Sequence, residues 1–410
     1  WLDTRCTRYI EFMNRLAGDE IVAKTGGPAS FNHGPKILWW KNEKPAVFRS
    51  IHAFVQPGGY AAMRLCGLGS REAFIDSTYL HFSGFADTIK CAWDAELCQR
   101  FGIPPEKLPR IVSSHEVIGE LTGLMARRCG LKAGIPVVAG CGDTMASFLA
   151  CGATREGISI DVAGTASVFA ATTKSFKPDV AGKVLSTGHA ATPGLWHPYA
   201  YINGGGFNLQ WFTEHIAGIG SPKGISIDQM DRSAGAIRPL ASLPIFVPHL
   251  GGRVCPSWPK LRGAWAGLSW SHSARELWFA LLEGVALEYA LYRNVLAKLY
   301  RGIDIREVRV TGGGQKSIFW SKLKANALQV PIVQVSRAEG APLGCALLGA
   351  YGVGLVRDID QAARDWIRVR KTCKPNPELA DHYRERLDRY ERLLDVLNAW
   401  NESSSRDQET

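Results

Sequence analysis

A lone carboxylate sits at Gly142-Asp143-Thr144, where the apolar stretch Ile135-Pro-Val-Val-Ala139 gives way to the helix-forming run Met145–Ala150. The stretch predicts a buried strand, and the small residues after it predict a turn, so Asp143 falls at a strand's C-terminal end. A carboxylate in that place can accept the proton of an attacking hydroxyl; one that only caps the following helix could be asparagine instead. Just downstream, Asp161-Val-Ala-Gly164-Thr165 ends a strand with Ile158, Ile160 and Val162 on one face, and a second strand runs from Ser167 to Thr172. A small-residue turn there lets backbone N–H groups approach phosphate oxygens. A proton acceptor and a phosphate-holding turn are what transfer of a phosphoryl group to an alcohol needs. Taken singly, Gly-Asp-Thr is also an ordinary helix cap and Gly-Thr an ordinary hairpin.

A third element lies far along the chain. Glu307-Val-Arg-Val-Thr311 alternates as a strand, Gly312-Gly313-Gly314 follows, and apolar residues recur at helical spacing from Ser317. One glycine would serve a tight turn; three in a row predict close approach of a flat ligand or a phosphate to the backbone. The run is neither G-x-G-x-x-G nor G-x-x-x-x-G-K-[ST], so neither a dinucleotide fingerprint nor a Walker loop is present.

In order and spacing these motifs resemble the FGGY family of carbohydrate kinases, the group of xylulokinase, gluconokinase, ribulokinase and glycerol kinase. The resemblance runs from Trp1 to about residue 355. Trp1-Leu-Asp3-Thr-Arg5 is similar to the family's W-x-D-x-R, and Phe74-Ile-Asp76-Ser-Thr with Gly84-Phe-Ala-Asp87 to a second conserved stretch. Gly142-Asp143 is similar to the catalytic carboxylate motif and Gly164-Thr165 to a phosphate loop. Ser269 and Leu282-Glu-Gly-Val-Ala286 resemble the signature helix, Thr311–Ser317 the adenine-side loop, and Ala341–Ala346 a closing helix motif.

The resemblance implies an α/β, two-lobed actin-like ATPase fold of the ribonuclease H-like kind, with the first lobe incomplete. The family's opening D-x-G-T loop and a sugar-contacting segment are not in this sequence, which implies an N-terminally truncated fragment with little activity of its own. Implied roles are Asp143 as general base, Thr144 beside it at the sugar, and Gly164 and Thr165 at the ATP phosphates. Gly313 and Ser317 would meet the adenosine, with Gly267 nearby. ATP and Mg2+ are the implied cofactors, with no dedicated protein metal ligand. A ketopentose such as D-xylulose is the expected acceptor; a polyol, a ketohexose or an aldonate is the alternative, as is a non-catalytic nucleotide-binding or regulatory role. The chain departs from the family pattern at Gly59, Gly252 and Asn326.

The elements that must hold these residues divide into a first lobe at 1–153, a second at 154–400 and a disordered polar tail at 401–410. Helices are expected around Tyr60, over Cys91–Phe101 and over Glu116–Cys129. Ser273-Ala-Arg-Glu276 is a capping box that opens a long, largely apolar and therefore buried helix, in which Gly284 predicts close packing. Asn376-Pro377 starts a helix with a stripe of Leu379, Tyr383, Leu387, Tyr390, Leu394 and Leu397, read as docking on its own domain, with a homodimer contact as the alternative.

With 410 residues, 46% of them hydrophobic and 21% charged, the chain has the composition of a globular protein with more than one core. Ten cysteines without C-x-x-C spacing predict reduced, buried thiols and a cytoplasmic location, and the ten histidines form no zinc motif. A net charge of +10 raises nucleic acid as a partner, but the Lys and Arg residues are dispersed, which argues against it; no apolar run suggests a membrane span. Of thirteen tryptophans, Trp39, Trp40, Trp196, Trp211, Trp258, Trp265 and Trp270 could line a sugar cleft, although core packing is the commoner use of tryptophan.

Overall fold

The computed structural model describes residues 3–218, 224–336 and 340–406. The chain forms two compact units, and each is discontinuous in sequence. Unit 1 comprises 1–156, 172–198 and 337–368; unit 2 comprises 157–171, 199–336 and 369–410. Sequence reading placed a single boundary after residue 153, whereas the chain passes between the units after residues 156, 171, 198, 336 and 368.

In unit 1, helices Thr7–Thr25, His33–Glu43 and Ala95–Phe101 enclose a core of Met13, Ile21, Leu38, Phe85, Leu97 and Phe101. Asp94 caps the last of these helices by accepting Leu97 N–H at 2.9 Å, so it begins at Ala95 and not at Cys91, which turns with a φ of 48°. Strands Phe74–Asp76 and Arg110–Val112 pair in parallel. The expected helix over Glu116–Cys129 is a strand, Val117–Glu120, followed by a helix, Gly123–Cys129. Gly119 explains the strand: a Cβ there would lie 3.0 Å from Cys66 Cβ, so this stretch runs tight against its neighbour. The strand before Asp143 is short, Pro136–Val138, and half-exposed, with Ile135 40% exposed, in contrast to the buried strand expected. It pairs antiparallel with Val117–Glu120. Helix Asp143–Ala150 packs on helix Ala341–Gly352 so closely that a Cβ on Gly344 would sit 2.0 Å from the Ala146 carbonyl oxygen.

Unit 2 is built on a sheet centred on strand Ile158–Ala163. Strand Glu307–Thr311 pairs with it in parallel, with Val310 opposite Asp161, and Ile332–Ser336 continues the parallel side. Ser167–Ala171 pairs antiparallel on the other side, followed by strand Trp196–Ile202, which pairs with it through Tyr199–Ile202. Central parallel strands are usually buried on both faces, and here Ile158 and Ile160 are buried along with Ser159 and Asp161, as are Val308 and Val310 along with Arg309 and Thr311. The capping box at Ser273 and Glu276 forms and opens a helix of 26 residues, Ala274–Leu299. Gly284 behaves as its position predicted: a Cβ would lie 2.3 Å from the Phe246 carbonyl oxygen.

That helix also buries carboxylates. Glu283 pairs with Arg386, whose guanidinium donates to the carbonyls of Leu243 and Pro244 at 2.7 and 2.9 Å. Glu288 accepts from Arg253 at 2.9 Å and from the Tyr390 hydroxyl at 2.6 Å. Burial pushes the Glu288 carboxyl up, but Arg253 and its other partners outweigh it and hold it at about 2. Arg386 and Tyr390 lie on helix Ala380–Arg406, whose residues Tyr383, Leu387, Tyr390 and Leu394 are buried, so the apolar stripe docks within unit 2. The helix runs to Arg406 through part of the tail expected to be disordered; 407–410 lie outside the described residues.

All ten cysteines are free, but Cys91, Cys129 and Cys345 are exposed and Cys66 and Cys141 half-buried, so only part of the set is the buried thiols expected. Among the described residues no helix is long and apolar enough to cross a membrane.

Candidate active site

In unit 1 the Gly142–Asp143 turn is held from below. The Gly142 N–H donates to the Thr78 hydroxyl at 2.9 Å, and that hydroxyl donates in turn to the Asp76 carboxylate, which also accepts the Thr78 N–H at 3.0 Å. Asp76 is 5% exposed, and burial pushes its carboxyl up to about 7 against the pull of the Thr78 hydrogen bonds. The phenol ring of Tyr79 lies against Gly142, where a Cβ would find it at an ordinary 3.5 Å.

Asp143 itself is exposed at the first position of helix Asp143–Ala150, with Gly142 as the N-cap residue. Its Oδ1 accepts the adjacent Thr144 N–H at 2.7 Å, and the Thr144 hydroxyl stands 3.4 Å away. An N-cap side chain reaches an N–H two or three residues on; Asp143 makes no such bond. Among the described residues it has no ion-pair partner, and its second oxygen is left to solvent.

Unit 1 also holds a cavity of about 350 Å³ with aromatic walls from Trp40, Trp93, Phe31 and Phe54 and polar groups from His33 and Gln56. The His33 ring is 5.7 Å from that of Tyr79. Burial drives the His33 imidazole down to about 4, which keeps it neutral near pH 7.

In unit 2 a larger cavity, about 720 Å³, opens where strands Ile158–Ala163 and Glu307–Thr311 end. Ligands of open α/β sheets bind beyond the carboxyl ends of strands. Gly164, Thr165, Gly206, Gly313, Lys316 and Ser317 line it. Its shape depends on missing side chains. A Cβ on Gly206 would fall 1.9 Å from the Gly164 carbonyl oxygen, and one on Gly312, which has a φ of 84°, 2.6 Å from the Ala163 carbonyl oxygen. Gly313, by contrast, would meet nothing within 4 Å, so its backbone faces open space. The N–H groups of Gly206 and Phe207 both donate to the Thr165 carbonyl, at 3.0 and 3.1 Å, which fixes the Gly164–Thr165 turn.

Of the residues predicted from sequence, Gly164, Thr165, Gly313 and Ser317 come together at this cavity. Ser317 has a structural task as well: its hydroxyl donates to Asp231 at 2.5 Å and caps helix Ile318–Leu328 by accepting Trp320 N–H at 3.0 Å. Gly267 occupies a left-handed turn, φ 82°, after strand Ala264–Ala266 and is not among the residues lining the cavity. Trp1 lies outside the described residues; Asp3 and Arg5 form an exposed pair at 2.7 Å, with the guanidinium 4.2 Å over Trp39. Of the tryptophans, Trp40 lines the unit 1 cavity, Trp211 stacks on Trp265 at 6.2 Å, and Trp270 is fully exposed.

Sequence reasoning missed Thr78, Gly206 as a packing glycine, and Lys316. The run Gly204-Gly205-Gly206 was the visible signal for the second. Thr78 reaches Gly142 across 64 residues, and nothing local announces that bond.

Two family models match the chain in succession. The model of the N-terminal domain of the FGGY family of carbohydrate kinases matches residues 1–150, and that of its C-terminal domain matches 161–353. Xylulose kinase from Bacillus subtilis is 24% identical over 96% of this chain and 77% of its own length. Gluconokinase from the same organism is 27% identical over 94% and 75%. The crystal structure of xylulose kinase from Rhodospirillum rubrum superposes with a TM-score of 0.87 at 27% identity, covering 97% of this chain and 79% of that one. With both domain models matched in order and an actin-like α/β architecture, the chain belongs to the FGGY family of carbohydrate kinases.

Proposed function

We propose that this carbohydrate kinase transfers the γ-phosphoryl group of ATP to a hydroxyl of a ketopentose such as D-xylulose, with Asp143 as the general base. The observation that carries the chemistry is Asp143: an exposed carboxylate without an ion pair among the described residues, on a turn tied down by Thr78. A carboxylate without an ion pair can take up a proton from a hydroxyl set against it. The acceptor hydroxyl gives its proton to an Asp143 oxygen, the acceptor's own oxygen forms a bond to the γ-phosphorus, and the bond from that phosphorus to the β–γ bridging oxygen breaks as ADP leaves. Thr144, whose hydroxyl points to the same carboxylate, orients the acceptor.

The unit 2 cavity suits a nucleoside triphosphate. The Gly164 N–H is spent on the carbonyls of Val162 and Ala166, so the Thr165 backbone N–H and hydroxyl and the Lys316 ammonium are the groups that offer donors and positive charge to phosphate oxygens, while the open Gly313 backbone admits a flat base. Asp228 is the one carboxylate among the described residues lining it. Mg2+ therefore fits as an ion held through phosphate oxygens and waters, where it would neutralise phosphate charge.

The similarity to xylulose kinases supports the ketopentose, and the gluconokinase of comparable identity makes an aldonate the second reading. An ADP-release screen over ketopentoses, ketohexoses, polyols and aldonates decides between them. Turnover should peak among the ketopentoses; an optimum on gluconate or glycerol rejects that acceptor.

A further inference from the structure

Both glycine loops of unit 2 spring from strands that meet a buried charge. Asp161 lies three residues before Gly164 and is 0% exposed. Its Oδ2 accepts from the Lys324 ammonium at 2.5 Å and its Oδ1 from the Tyr289 hydroxyl at 2.8 Å. Lys324 sits two turns into helix Ile318–Leu328, which follows directly on Gly312–Ser317, and is 1% exposed. Its ammonium also stands 3.6 Å over the ring of Trp320. Trp320 lines the cavity, and its ring atoms would lie 2.7 Å from a Cβ on Gly314. A line of directed interactions thus runs from the Gly164 strand through Asp161 and Lys324 to the indole beneath the Gly312–Gly314 turn, with Tyr289 anchoring it to the long helix.

We propose that Asp161, Lys324 and Tyr289 are positioning residues that hold the two nucleotide loops of unit 2 in register. A core pair that served stability alone would be a poor choice, because well-packed apolar residues of similar volume often serve as well or better in place of a buried ion pair. What apolar packing does not supply is direction: hydrophobic contact is non-directional, whereas two hydrogen bonds and a cation over an indole fix where Trp320 and the strand end lie.

The inference rests on the nucleotide reading of the cavity, and one titration separates the two. A non-hydrolysable ATP analogue is titrated into the parent, into Asp161→Leu/Lys324→Met and into Tyr289→Phe, with melting temperature measured on each. The double variant should melt within about 5 °C of the parent, since no charge is left unpaired, yet bind the analogue about 10-fold more weakly or worse. Tyr289→Phe loses one bond and no charge; it should bind about 3-fold more weakly, and it stands as the test if the double variant does not fold. Parent-like affinity in a folded variant overturns the positioning role alone. A parent that does not bind the analogue contradicts the nucleotide reading itself, and the positioning role with it.

Discussion

The Gly142–Asp143 turn of unit 1 and the glycine-lined cavity of unit 2 use the same small residue for opposite ends. At Gly142 a Cβ would meet Tyr79 at an ordinary distance, and the φ of −55° suits any residue, so this glycine is not required by geometry. What matters there is the carboxylate that follows it and the hydroxyl that holds the turn. In unit 2 the side chains that are missing make the site: a Cβ on Gly206 or Gly312 would strike a backbone carbonyl of the facing turn. The charges follow the same division. Unit 1 leaves Asp143 open to solvent, while unit 2 buries Asp161, Glu283 and Glu288 against cations and presents backbone to its cavity. Proton transfer needs an accessible group, whereas phosphate binding needs fixed donors, and under the proposed function each unit would serve one of them.

The contrast breaks most visibly at Gly206. Gly206→Ala forces the Gly164 carbonyl to move, an overpacking of one to a few kcal/mol; nucleotide affinity should fall about 10- to 100-fold in a calorimetric titration. Parent-like affinity would show that the two turns do not need their close approach. A smaller effect is expected from Thr78→Val, which removes the hydroxyl between Asp76 and Gly142. It should lower kcat about 10-fold, equivalent to about 1.4 kcal/mol, and leave nucleotide affinity unchanged. An equal loss of affinity would mean that Thr78 supports the whole protein and not the Asp143 turn.

Asp76 offers a pH test. Its folded value is raised to about 7 from an ordinary 3.8, so between those values the folded state holds more protons than the unfolded one. Stability from this group is therefore highest below about pH 4 and is lost as pH rises to about 7, by an amount on the order of a few kcal/mol. Asp76→Asn should flatten that part of the stability–pH curve measured by denaturant unfolding at pH 5 and pH 8; an unaltered slope would place the titration elsewhere. The smallest effect belongs to Gly142→Ala: the position is buried, but the added methyl would meet Tyr79 and Thr78 only at ordinary contact distances, so kcat and nucleotide affinity should stay within about 2-fold of the parent. A large loss there would put unit 1 under the same geometric rule as unit 2.

How much of this was legible in the sequence depended on how far apart the partners lie. Local patterns carried well: the Ser273 capping box, the strand, turn and helix around Gly312–Gly314, and the stripe from Tyr383 to Leu394 all appear where the spacing put them. Periodicity erred where one window held two elements, as in Glu116–Cys129, because Gly119 and the Thr122 cap break a stretch whose apolar residues alone suit a helix. Long-range pairing was invisible. Thr78 with Gly142, Asp161 with Lys324 and Glu283 with Arg386 join residues 64, 163 and 103 positions apart, and a buried glutamate in an apolar helix does not reveal which arginine will meet it. The interleaved units escaped for the same reason: a chain that returns to a unit does so through contacts, not through composition.

Asp143 remains the residue on which the account turns. Asp143→Asn keeps the side chain's shape and its bond to the Thr144 N–H but removes the capacity to accept a proton. Measured by sugar-dependent ADP release under saturating substrates, with ATP affinity and melting temperature taken alongside, the variant should bind and melt like the parent and lose on the order of 10²–10⁴-fold in kcat. A variant that keeps most of the parent's kcat would contradict the assignment of Asp143 as the base.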